Sequence, residues 1–197
     1  MYMKLLKYIV TTMLLLMTIV VAGCGEDKFV GTWYNKTDNN MISKSIVTKD
    51  KDKEKTYNDE ESVLYYAPEE VVAGTEPNGR KIINHRYTWT HSVIATIPLI
   101  EKDGKLYGKF QNIDVNVEYN EKNKTLLSRN SKVPIVDEAI NEKNFDLKKV
   151  QEELKAEITK KFNEDKAKVN ATPYRRATIG EIEFNDTLTE KEIHPFG

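Results

Sequence analysis

The chain has 197 residues, with 30 Lys and Arg against 31 Asp and Glu, a formal net charge of −1, and a single cysteine, Cys24. A balance this close to neutral, with no basic cluster denser than Arg175-Arg176, excludes nucleic acid as an expected partner. One cysteine excludes an internal disulfide, so stability has to come from packing.

The first seven residues hold Lys4 and Lys7 and no acid, and from Tyr8 to Ala22 there is no charge at all. A basic start, an apolar run and a small-residue end are the three parts of a secretory signal. The run is shorter than the ~20 apolar residues a spanning helix needs, and Glu26-Asp27-Lys28 after it is not a basic stop. Val21-Ala22-Gly23-Cys24 at its end resembles the lipobox of bacterial lipoproteins. The resemblance implies a diacylglyceryl group on the Cys24 sulfur, cleavage before Cys24, and a further acyl chain on the new amino terminus. Two or more chains make a stable anchor, at about 0.8 kcal/mol per buried methylene. Residues 1–23 are then a signal peptide and 24–28 a lipidated N-terminus and tether. The domain beyond the tether is expected outside the cytoplasm, held at the cell membrane or an outer membrane. Lys4 and Lys7 leave with the signal, taking the formal charge from −1 to −3.

Residues 29–190 read as one β-rich domain, with 191–197 as a tail. Phe29–Asn35 alternates as a first strand, Asp38-Asn39-Asn40 is a turn, and Met41–Thr48 is a second strand. Asp50–Glu61 reads as a charged connection, and Ser62–Tyr66 resumes strand character before Pro68. After the turn at Glu76–Gly79, the run Arg80–Ile100 holds a period of two, with Ile83, His85, Tyr87, Trp89, His91, Val93, Ala95, Ile97 and Leu99 on its odd face. A bend is expected near His91-Ser92. Asp103-Gly104 closes a hairpin into Lys105–Gln111, a flip of apolar parity at Gln111-Asn112 marks a bulge or a new strand, and Thr125–Arg129 is another strand. Asp146 is a plausible N-cap to the one long helix, Leu147 to about Ala167, whose stripe is Leu147, Val150, Leu154, Ile158 and Phe162. Tyr174–Phe184 closes the domain with strand character. The expectation is a mainly β domain, an antiparallel meander forming a barrel or half-barrel, with one amphipathic helix near the C-terminus.

Gly31-Thr32-Trp33-Tyr34 resembles the Gly-x-Trp signature of lipocalins and related calycin barrels. That resemblance implies a tryptophan, Trp33, at the closed end of a barrel, with Arg129 as the candidate arginine stacked across it. It also implies a lumen that takes a small, mostly apolar molecule. The odd face of Arg80–Leu99 is the expected lumen wall, so the candidate ligand-binding residues are Trp33, His85, Tyr87, Trp89 and His91.

Catalytic signatures are missing: there is no Gly-x-Ser-x-Gly, no His-Glu-x-x-His and no phosphate-cradling glycine loop. An enzyme and a cofactor are not expected. His85 and His91 share a face but lie about 20 Å apart along a strand, at ~3.3 Å per residue, too far for one metal; His194 falls in the tail. Asp50, Asp52, Glu54 and Glu61 imitate the spacing of a calcium loop, but Lys55 stands where a glycine is needed. Asp59-Glu60-Glu61 and Asp137-Glu138 fall in polar runs, where water is expected to keep them ordinary. The leading expectation is a membrane-anchored lipoprotein that binds a small apolar or amphipathic ligand. The alternative is a cell-envelope scaffold with a solid core that docks a protein or wall polymer.

Overall fold

The computed structural model describes residues 27–37, 39–131, 136–172 and 175–191. Cys24, His194 and the segment 1–23 read as a signal peptide lie outside the described residues. Residues 27–30 form a small unit of their own, a turn in which Val30 N donates to Asp27 O and Phe29 N to Asp27 Oδ1.

From Gly31 onward the chain is mainly β. The strands are β1 (Gly31–Lys36), β2 (Met41–Lys49), β3 (Thr56–Thr75), β4 (Lys81–Lys102), β5 (Lys105–Phe110), β6 (Ile113–Asn120), β7 (Thr125–Asn130), β8 (Val136–Asn141) and β9 (Ala177–Glu190). A single helix, α1 (Leu147–Asn170), precedes β9. The sheet runs β3-β2-β1-β8-β7-β6-β5-β4-β9, and β3 also pairs with β4. All ladders are antiparallel except β4–β9.

Turn chemistry sets these boundaries. Asp103-Gly104 and Gln111-Asn112 both take positive φ, so each makes a two-residue hairpin whose twist matches the flanking strands. The second is why apolar parity flips: Phe110 pairs with Ile113, and a new strand begins. Two strands exceed the sequence expectation. β3 starts at Thr56, inside the segment read as a charged connection, and it runs through Pro68. The proline is tolerated because the β2–β3 ladder stops at the Met41–Tyr65 pair, leaving that edge of β3 without a ladder to interrupt. β8 occupies a stretch that carried no strand signal.

One face of the sheet is covered by α1. Asp146 caps the helix, its Oδ1 accepting from Lys149 N at 3.0 Å. Leu154 and Phe162 are buried, and Leu147, Val150 and Ile158 pack beside them, the stripe that the sequence shows. Leu154 meets Ile42, Leu64, Tyr66 and Trp89 in the core, with Phe184 of β9 edge-on to Tyr66 at 5.2 Å. Polar contacts hold both flanks of the helix. Lys36 reaches Glu153 and Glu157, and Lys155 bridges to Asp186 at 2.5 Å, while Tyr66 Oη donates to the same carboxylate at 2.6 Å. The exposed Lys36 pairs contribute ~1 kcal/mol or less; the buried stripe does most of the holding.

Three substitutions test this packing. Leu154→Ala is expected to cost about 2–5 kcal/mol in urea unfolding, as full burial at 0% exposure implies. A Cβ on Gly108 would sit 2.4 Å from Leu99 Cδ2 and 2.7 Å from the Pro98 carbonyl oxygen. Gly108→Ala should therefore destabilise by ~1–3 kcal/mol, whereas Gly74→Ala, with Ile82 Cδ1 at 3.9 Å, should change little.

Candidate functional site

Opposite the helix, the other face of the sheet encloses a cavity of about 280 Å³. Every second residue lines it: Trp33 and Asn35 from β1, Ser43 and Ser45 from β2, Asp59 and Glu61 from β3. β4 contributes Ile97, β6 Val115 and Val117, β7 Leu126, Ser128 and Asn130, and β8 Asp137 and Ala139. Strand alternation explains the selection, because partners in register share a face. Ser45 pairs with Glu61, Trp33 with Ser45, and Ser128 with Asp137.

The lining is divided by chemistry. Trp33, Val115, Val117 and Leu126 are apolar, and Tyr119 meets Trp33 edge-on at 6.2 Å. Glycine is required two residues before this tryptophan, because Gly31 has φ +144° and a Cβ there would press on Asn141 Nδ2 at 3.2 Å. Asp59 and Glu61 form the polar centre. Asp59 is 3% exposed, and Ser45 Oγ donates to its Oδ1 at 2.5 Å. Burial raises the Asp59 carboxyl, with hydrogen bonds from Ser45 and Glu61 pulling it back. Burial also pushes Glu61 up, to about 8, helped by the charge of Asp59, the hydrogen bond to it and the charge of Asp137. Two adjacent carboxyls in a poorly hydrated place cannot both ionise cheaply, so one proton stays, on Glu61, and is donated to Asp59.

Asp59 and Glu61 correct the sequence expectation that water keeps such acids ordinary. Asp59, Glu61 and Asp137 face the cavity, while Glu60 and Glu138, one step along, belong to the opposite side of the sheet. Extending the alternation of Ser62–Tyr66 backwards is the signal that could have found them: Tyr57, Asp59, Glu61, Val63 and Tyr65 fall on one face. The calcium-like spacing dissolves for the same reason. Glu61 belongs to the cavity, while residues 50–55 make a turn in which Asp52 N donates to Asp50 Oδ1.

The five expected ligand-contacting residues are split between the two faces. Trp33 lines the cavity, but Tyr87 and Trp89 pack on the helix side, Trp89 at 4.9 Å from Tyr66 and Tyr87 stacked at 5.5 Å on Phe184. His85 lies edge-on to Phe162 at 5.3 Å. His91 is 8% exposed, its Nδ1 2.7 Å from Glu190 Oε2. The cause is a one-residue bulge. Glu61 pairs with Ala95 but Ser62 pairs with Val93, so Ile94 is an extra residue on β4. Odd positions from Ala95 upward share the cavity face, and odd positions from Val93 downward share the helix face. Arg129, the candidate for stacking on Trp33, is exposed, next in line to the cavity residues Ser128 and Asn130. Among the described residues no group of three or more His, Cys, Asp or Glu is placed to hold a metal ion.

Comparison with protein families, with curated proteins and with solved structures finds no match to this chain. The resemblance to calycin barrels therefore rests on Gly31, Trp33 and the order of the strands.

The acid pair makes a checkable prediction. Folded Glu61 keeps its proton to about pH 8, against an ordinary value of 4.5, so the folded state binds more protons between those limits. Stability then falls as pH rises through that window. Glu61→Gln keeps a donor for Asp59 and removes the ionisation. Its Tm at pH 8 should exceed the parent's by roughly 2–8 °C, for ~1–2 kcal/mol, and the difference should vanish near pH 5. Parallel Tm profiles from pH 5 to 8 would show that the pair is solvated.

Proposed function

We propose that this chain is a lipid-anchored extracytoplasmic protein whose strands close as a lipocalin-like barrel and bind a small ligand in the lumen. The observation that carries the reading is the cavity of about 280 Å³ on the face away from the helix. Ligand sites are concave, with an apolar wall and a few convergent polar groups, and this one has both. Closure is supported by the β3–β4 ladder, which joins the two strands that would otherwise be the ends of an eight-stranded sheet. Each strand from β1 to β8 thereby has a neighbour on both sides.

Relative to the sequence expectation, the ligand-contacting surface moves from Tyr87, Trp89 and the two histidines to Trp33, Asp59, Glu61 and the residues around them. The occupant shrinks accordingly. At ~30 Å³ per water, the cavity equals roughly nine waters, which suits a small amphipathic molecule and is too small for a lipid. Anchoring at Cys24 rests on Val21-Ala22-Gly23-Cys24 alone.

Two measurements test the two halves of this reading. Cys24→Ser is expected to remove the lipid mass and to release the protein from the membrane fraction; unchanged retention would overturn the anchor. Native mass spectrometry of the full chain from its host should show a reproducible added mass that is lost in Ser128→Phe, which fills the lumen. Trp89→Phe, on the helix face, should keep it. A bare mass that stays bare after incubation with metabolite extracts would overturn lumenal binding.

A further inference from the structure

We propose that Asn78 is a site of spontaneous deamidation, restrained in the folded chain by the carboxylate of Glu76, and that its conversion loosens the start of β9. The site is the turn between β3 and β4, and it stands apart from the lumen. Asn78-Gly79 is the sole Asn-Gly pair in the sequence. Both residues are exposed, and a Cβ on Gly79 would meet nothing within 4 Å. Glycine hinders its own backbone nitrogen less than any other residue does. This amide is therefore the one best able to reach the side chain of the asparagine before it.

The reaction needs only water as co-reactant. Gly79 N loses its proton and attacks Asn78 Cγ. The N–Cγ bond forms, the Cγ–Nδ2 bond breaks, and ammonia leaves carrying that proton. Water then opens the cyclic imide at either carbonyl, giving an aspartyl or an isoaspartyl link. The sum is amide plus water to carboxylic acid plus ammonia, with no change in oxidation state.

Three hydrogen bonds oppose the first step. Gly79 N donates to Glu76 O at 2.9 Å, which retains the proton that has to leave. Asn78 Nδ2 donates to Glu76 Oε2 at 2.9 Å, and Asn78 Oδ1 accepts from Arg80 N at 2.9 Å, so the side-chain amide is fixed at both ends. Hydrogen bonds from Thr178 and Asn78 keep the Glu76 carboxyl below its ordinary value of 4.5, so this acceptor is charged and its bond the stronger for it. The other oxygen of the same carboxylate, Oε1, accepts from Thr178 Oγ1 at 2.9 Å and ties the turn to the start of β9. Deamidation leaves the bond from Arg80 N intact, because a carboxylate oxygen still accepts. It replaces the Nδ2 donor with a second anion facing Glu76. A Glu76 carboxylate driven away from residue 78 also leaves Thr178.

The test incubates the full chain in detergent in mildly alkaline buffer, with and without urea, and follows each asparagine by peptide mapping and mass spectrometry. In urea, Asn78 is expected to convert faster than every other asparagine. In the folded chain it should convert roughly tenfold more slowly or less, the size of one hydrogen bond to a charged group. Glu76→Ala should recover most of the lost rate without urea, and Glu76→Gln, which keeps an acceptor without its charge, should fall between. Thr178→Val leaves the Asn78 bond in place and should keep the parent's rate. Asn78→Asp should weaken hydrogen-exchange protection severalfold at Lys81 N, which donates to Arg176 O where β9 begins. Conversion in urea no faster than at the other asparagines would overturn the site. Equal rates in the parent and both Glu76 variants would overturn the restraint, and unchanged protection at Lys81 would overturn the loosening of β9.

Discussion

Between the pairs Glu61–Ala95 and Ser62–Val93, the longest ladder in the sheet accommodates Ile94 without a partner. That one residue exchanges the faces of β4 halfway along its length. Above it, Ile97 looks into the cavity; below it, Trp89 looks into the helix-covered core. A strand of 22 residues can thus serve two interiors of opposite character. Without the bulge, a single alternation would drive Tyr87 and Trp89 into the space the acids occupy and would leave α1 facing Thr88 and Thr90. The partition of the domain into a polar interior and an apolar one arises from this local irregularity.

The two interiors carry different energetic loads. The apolar one is conventional: apolar side chains from β2, β3, β4, β9 and α1 meet, and at its edge Gln151 donates to Tyr66 while Tyr66 and Lys155 both donate to Asp186. Asn170 completes it by pairing with both backbone groups of Ile179 on β9. The polar interior works against folding. Holding Asp59 and Glu61 together out of bulk water costs free energy that the rest of the domain has to offset. Strain of this kind concentrates where a protein binds something.

How legible this was depended on whether a segment announces itself by apolar alternation. β4, β6 and the helix stripe do, because they bury hydrophobic side chains against other hydrophobic side chains. Asp146 and the Asp103-Gly104 turn do as well, since capping and positive φ each demand particular residues. The start of β3 and the whole of β8 do not. They line a polar cavity, and a strand with Asp59, Glu61 or Asp137 on its inner face has the composition of a solvated loop. The bulge was the other blind spot. Val93, Ile94 and Ala95 are all apolar, so the sequence is equally consistent with odd positions running unbroken along one face. Hydropathy registers that a side chain is buried; it does not register in which of two interiors.

The parallel strand β9 has a kinetic consequence. Arg86 and Glu183 meet across 97 positions of sequence, and Tyr66 reaches Asp186 across 120. Contacts so distant along the chain have to overcome a large closure entropy before they contribute, which slows folding. They also set an order of events. While a nascent chain lacks β9, the flank of β4 that β9 later covers remains an open edge, a template for pairing with other chains. That edge is covered only once β9, Ala177–Glu190, has been made.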